Sequence, residues 1–96
     1  MKALSVKEPF ASQIANGDKV VEFRTWQTKH RGDLLICCSA FPKSENSGKA
    51  LCIVNLAEIK KLKNGEYGWC LFDVQKLEKP FPVRGKLHVF EVEMPA

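Results

Sequence analysis

Apolar residues come along this chain mostly in short runs at strand spacing, separated by turn residues. Ala3 to Val6 reads as a first strand. Pro9 suits the first turn of a helix and Gly17 its C-terminal cap. Between them Phe10 and Ile14 stand four apart, as do Ala11 and Ala15, so Glu8 to Asn16 is predicted to be a short amphipathic helix lying over a sheet. Val20 to Trp26 is the second strand. Strict alternation gives Val21, Phe23 and Thr25 the core-facing side and Glu22, Arg24 and Trp26 the other. Lys19 falls with the core-facing set unless the turn or a bulge rotates it.

Asp33 to Ala40 is apolar almost throughout, which predicts a strand buried on both faces or central in a closed sheet. Pro42, Ser44, Asn46, Ser47 and Gly48 make Phe41 to Lys49 a loop. Ala50 to Leu62 is expected to be one long bent strand, although its second half, Ala57 to Leu62, is also compatible with a helix. Asn64-Gly65 marks a hairpin turn within Lys63 to Gly68. Trp69 to Leu77 is the fifth strand, closed by Pro80 and Pro82, and Val83 to Glu93 is the last. The sum is an α+β domain: one or two short helices on about five or six mostly antiparallel strands, spaced as in a small β-barrel. Closure would remove exposed strand edges.

Composition narrows the class. The 96 residues fit a single domain, residues 1–96, with a small core. A net charge of +4 permits an anionic partner such as RNA without demanding one. No apolar run approaches the roughly 20 residues of a membrane-spanning helix, and the N-terminus is charged again too soon for a signal peptide. A cytoplasmic protein without a membrane partner is expected; its oligomeric state is not legible. The four cysteines include no C-x-x-C pair, and His30 and His88 stand far from any cysteine pair. Neither a metal nor a cofactor is therefore expected. Cys37, Cys38, Cys52 and Cys70 all lie in apolar surroundings and read as buried, reduced thiols. A catalytic cysteine paired with either histidine has no local signature.

The candidate chemistry gathers in Gly17 to Trp26, where an acid, a base and an aromatic platform stand in a row. The bland reading is an edge strand with a cross-strand salt bridge, Arg24 pairing either with Glu22 across one residue of the strand or with a neighbouring strand. The sharper reading is a recognition strip. Arg24 offers a planar fork to a phosphate or a base edge, Glu22 accepts from a base amino group, and Trp26 or Trp69 stacks a base. Trp69 opens an apolar strand and is the better core candidate of the two. Lys19 beside Glu22 favours the protonated amine, which suits charge recognition better than general-base work. The start of the helix, near Lys7 and Pro9, can receive a phosphate or carboxylate, although most helix N-termini receive only water. Lys29, His30 and Arg31 in one loop, and Lys60, Lys61 and Lys63 at the hairpin, read as solvated turns or, if they face a common cleft, as a phosphate track.

Three stretches carry a family likeness. Ala3-Leu4-Ser5-Val6-Lys7-Glu8-Pro9-Phe10-Ala11, the series Gly17-x-Lys19-x-x-Glu22-x-Arg24, and Arg31-Gly32-Asp33 running on to Ser39-Ala40 resemble, in that order, the opening, signature and following strand of the ASCH domains, a branch of the PUA-like fold. Trp69 and Pro82 to Leu87 are similar to the closing segments. The resemblance implies a β-barrel with a cleft beside the helix, lined by Lys19, Glu22 and Arg24, with the Lys7 loop and Ser39 nearby, and an RNA or nucleotide-like ligand. Some small bacterial members are N(4)-acetylcytidine amidohydrolases, in which the signature lysine is a base, a threonine three residues later is the nucleophile and a downstream glutamate completes the set. Here Lys19 keeps the lysine, but Glu22 stands where that threonine would be. A carboxylate attacking an amide would form an anhydride, so it does not replace a hydroxyl nucleophile. Glu58 and Glu66 are the candidates for the third member. The readings that stand are an RNA- or nucleoside-binding module, a small hydrolase or ribonuclease using Lys19 and Glu22 with Ser39 or Thr25 as the hydroxyl in range, and an interaction domain that binds no nucleic acid.

Overall fold

The most apolar segment takes the most buried place. Strand β3 (Gly32–Cys38) is flanked by β4 (Lys49–Lys61), antiparallel, and by β1 (Lys2–Val6), parallel, so both its faces and both its edges are covered. The structure, a computed structural model, describes residues 1–95. The other elements are helix α1 (Phe10–Ala15) and strands β2 (Val21–Arg24), β5 (Tyr67–Pro82) and β6 (Phe90–Glu91). They make one mixed sheet of order β2-β5-β4-β3-β1-β6. Every pairing except β1–β3 is antiparallel. Among the described residues no ladder joins β2 to β6, so the expected barrel is an open six-stranded sheet with one short helix.

Strand alternation sorts the core into two layers. Leu4, Val6, Leu34, Ile36 and Cys38 point to the face where α1 adds Ala11, Ile14 and Ala15 and β5 adds Trp69. Ala3, Leu35, Cys37, Ala50 and Phe90 form a smaller cluster on the opposite face. Helix α1 is shorter than its expected Glu8–Asn16 span, yet it ends where the sequence says. Gly17 adopts φ 82, and its N–H donates to the Ile14 carbonyl at 3.0 Å. A left-handed residue just past a helix favours glycine because it has no Cβ.

Three expectations fail for physical reasons. The faces of β2 are reversed: Glu22 is 6% exposed and Phe23 51%. The cause is register. Glu22 pairs with Trp69 and Phe23 with Gly68, and directly paired residues share a face. Trp69, wholly buried, takes the inner face, and burial of so large a ring outweighs that of Val21 and Phe23. Glu22 and Arg24 go inward with it. Second, β5 does not stop before its prolines. Phe81 pairs with Ala50 and Pro82 with Lys49. The β2 pairing reaches only to Cys70, so beyond it β5 is an edge, where a proline lacking its N–H breaks no ladder. Third, the strand expected over Val83 to Glu93 contracts to β6. Residues 83–89 instead cross the end of β1 as an irregular segment, in which His88 adopts φ 63.

Candidate functional site

The inward turn of β2 brings opposite charges together below the sheet edge. Arg24 donates to Glu22 Oε2 from Nε at 2.9 Å, and its Nη2 lies 2.8 Å from the same oxygen. Nη2 also donates to the Ser5 carbonyl of β1 at 2.8 Å. The other Glu22 oxygen, Oε1, lies 3.7 Å from Lys19 Nζ. A buried carboxylate thus holds two cations and fixes both side chains, and Arg24 spans from β2 to β1. The turn explains Lys19. Its backbone N–H donates to the Gln13 carbonyl at 3.1 Å, ahead of the first residue of β2, so strand alternation does not govern it. The ammonium sits over the rings of Phe10 and Phe23, 4.9 and 5.1 Å from their centroids.

Above this cluster opens a cleft of about 500 Å³, within the size range of small-molecule sites. Lys7, Glu22, Arg24, Trp26 and Ser39, all candidates from the sequence, line it. Lys19 lies against it through Glu22 and the two phenylalanines rather than in its wall. Trp69 is not in the wall either. Its indole packs edge-on to Trp26 with centroids 5.0 Å apart, and its Nε1 donates to the Trp26 carbonyl at 3.3 Å. Trp69 therefore supports Trp26 from within the core. On its other side Trp26 meets His88 edge-on at 4.6 Å. His88, Lys86, Phe10 and Phe23 line the cleft without having been singled out for it from the sequence. The 46% and 51% exposure of the two phenylalanines would have read as wasted apolar surface without the cleft between them. Thr25 lines the cleft as well, and Glu66 does so where Glu58 does not.

The basic loops stand elsewhere. Arg31 Nη1 donates to the carbonyls of Thr28 and His30 at 2.7 and 2.8 Å, and His30 Nε2 lies 2.8 Å from the Asp33 carbonyl. None of Lys29, His30, Arg31, Lys60, Lys61 and Lys63 lines the cleft, so they do not extend it as a phosphate track; Lys60 and Lys61 form the exposed end of β4 rather than a turn. The helix start is already occupied by Glu8. Its Oε1 accepts from the Ser12 N–H at 2.7 Å, while Oε2 accepts from the Ser12 hydroxyl and from Asn46 at 3.4 Å. Partial burial works to raise the Glu8 carboxyl, but these hydrogen bonds outweigh it and hold the group below its usual range.

The cysteines are free, and Cys37, Cys38 and Cys52 are buried. Burial pushes the Cys37 and Cys52 thiols up to about 12, which leaves them protonated and unreactive at neutral pH. Among the described residues no group of three or more His, Cys, Asp or Glu is arranged to hold a metal ion. No helix is long and apolar enough to cross a membrane.

Chemically, the cleft combines one fixed cation, Arg24, with the exposed cations Lys7 and Lys86, a carboxylate with both oxygens engaged, small hydroxyls at Ser5 and Ser39, and an aromatic wall. A family model described as ASCH domain matches residues 4–93. No curated protein matches the chain.

Proposed function

The chain belongs to the ASCH domain family, a family generally associated with RNA binding, and from that premise we propose that it binds single-stranded RNA or a modified nucleoside in the cleft above Glu22. One observation carries the reading: cations at Lys7, Arg24 and Lys86 share a 500 Å³ cleft with the Trp26–His88 pair. Phosphate neutralisation and base stacking are the two interactions a single-stranded nucleic acid requires, and the second contributes roughly 1–3 kcal/mol per base. In this reading Arg24, already oriented by Glu22 and Ser5, meets a phosphate or base acceptor with the donors that remain free. Trp26 and the exposed faces of Phe10 and Phe23 stack. Glu22 orients Lys19 and Arg24 rather than contacting a base amino group, since both its oxygens are engaged. The open sheet is read as the family's barrel without its closing ladder, and the protein is placed in the cytoplasm, where buried thiols stay reduced.

The hydrolase reading has less support. A general base needs a free lone pair aimed at its substrate, and the Lys19 ammonium is instead turned to the Glu22 carboxylate at 3.7 Å, outside the cleft wall. Ser39 lines the cleft, but among the described residues its hydroxyl makes no hydrogen bond to Lys19 or Glu22.

The test is an amide NMR titration at low salt, first with a short single-stranded RNA and then with N(4)-acetylcytidine. Shifts clustered on Lys7, Glu22, Arg24, Trp26 and His88 are expected. If neither ligand moves them, the nucleotide reading fails. Cytidine resonances growing in over time, and lost in Lys19→Ala with the fold intact, would replace binding by hydrolysis.

A further inference from the structure

A second cavity, about 540 Å³, lies on the far side of the segment that crosses β1. It shares Ser5, Ser39, Lys86 and Leu87 with the first cleft, so the two open onto each other around that segment. Its wall carries Arg84 and Lys86 and no acidic residue. The segment itself lies close on β1. A Cβ at Gly85 would stand 2.8 Å from Ser5 Oγ, so the segment runs close against β1 and a larger residue there would have to displace the Ser5 hydroxyl. Ser5 is also the residue whose carbonyl receives Arg24. The floor of the first cleft and the crossing segment thus meet at one strand residue, with exposed cations on both sides of Gly85. At the junction Leu87 is 86% exposed, the highest of the large apolar side chains.

We infer that the two cavities are adjacent subsites for one single-stranded polynucleotide, with Arg84 and Lys86 neutralising backbone phosphate as the strand passes Leu87. The inference rests on the nucleotide reading of the first cleft and narrows its ligand from a free nucleoside to a chain. Charge complementarity selects this occupant. A lone nucleoside would fill one cavity and leave the acid-free one empty, whereas a strand carries an anion at every residue.

The experiment compares cytidine 5′-monophosphate with a random-sequence single-stranded RNA octamer on the full chain, at several salt concentrations, with inorganic polyphosphate of matched charge as competitor. The octamer is expected to bind at least about tenfold tighter than the mononucleotide, and polyphosphate to compete poorly, because stacking adds to charge. Arg84→Ala, at an exposed position, should weaken the octamer about three- to tenfold and reduce the magnitude of its log–log salt slope by roughly 0.7, the value for one phosphate contact on a single strand. It should leave mononucleotide binding unchanged, because Arg84 does not line the first cleft. Circular dichroism confirms that the variant folds. Mononucleotide bound as tightly as octamer, polyphosphate competing as well as RNA, or Arg84→Ala affecting both ligands equally or neither would overturn the second subsite while leaving the first. Failure of both ligands to bind would overturn the nucleotide reading, and the extension with it.

Discussion

At the residue scale, Glu22 is the pivot. It is the buried acidic residue of the core face, and it holds Lys19 and Arg24 in fixed positions. Removing one partner of a buried ion pair leaves the others desolvated without compensation. Here the cations are partly exposed, so the penalty is moderated by water. Glu22→Gln is expected to cost roughly 1–3 kcal/mol in urea unfolding, and in the NMR titration the amides of Lys19 and Arg24 should shift even without ligand. Wild-type stability would show that the charge is dispensable and that Glu22 orients nothing. The signature residues were legible at this scale, since Lys19, Glu22 and Arg24 do come together. Their burial was not, because nothing within β2 says which face its neighbour will claim.

At the scale of elements, turns and registers decide. Gly17 ends α1 and starts the turn that presents Lys19, and its φ of 82 is one that residues with a Cβ rarely adopt. Gly17→Ala should lower stability by about 1–2 kcal/mol, read as an earlier midpoint in thermal or urea unfolding. An unchanged midpoint would mean that the turn relaxes freely. Punctuation of this kind, Gly17 after the helix and Asn64-Gly65 at the hairpin, was legible because it acts on the local backbone. The fate of Pro80 and Pro82 was not. Whether a proline ends a strand depends on whether its outer edge has a partner, and β2 is too short to supply one. His88 was missed for the same reason: no local pattern marks it, and only the path of residues 83–89 across β1 carries it to Trp26.

At the scale of the molecule, the two core layers keep the thiols from water. The unfolded Cys37 and Cys52 thiols ionise near the ordinary 9.0, while the folded ones stay protonated up to about 12. Between those values the unfolded state binds fewer protons than the folded state. Stability must therefore fall as pH rises across that window. Unfolding measured from pH 8 to 11 should show this alkaline loss, and it should diminish in Cys37→Ala/Cys52→Ala. In the native protein at pH 8 a thiol reagent should leave both cysteines unmodified, and unfolding should expose them. Rapid native labelling of either would place it outside the core.

The α+β class, the positions of most strands, the helix stop at Gly17 and the family signature were all readable from the residues in order. All of these depend on side-chain periodicity and on backbone preferences over a few residues. Four features came only with the folded chain: the sheet stays open, β2 turns Glu22 inward, Trp69 braces Trp26 from behind rather than lining the cleft, and Lys86 and His88 join that cleft. These depend on pairing between segments distant in the chain. There a single large side chain such as Trp69 sets the face for every residue in register with it.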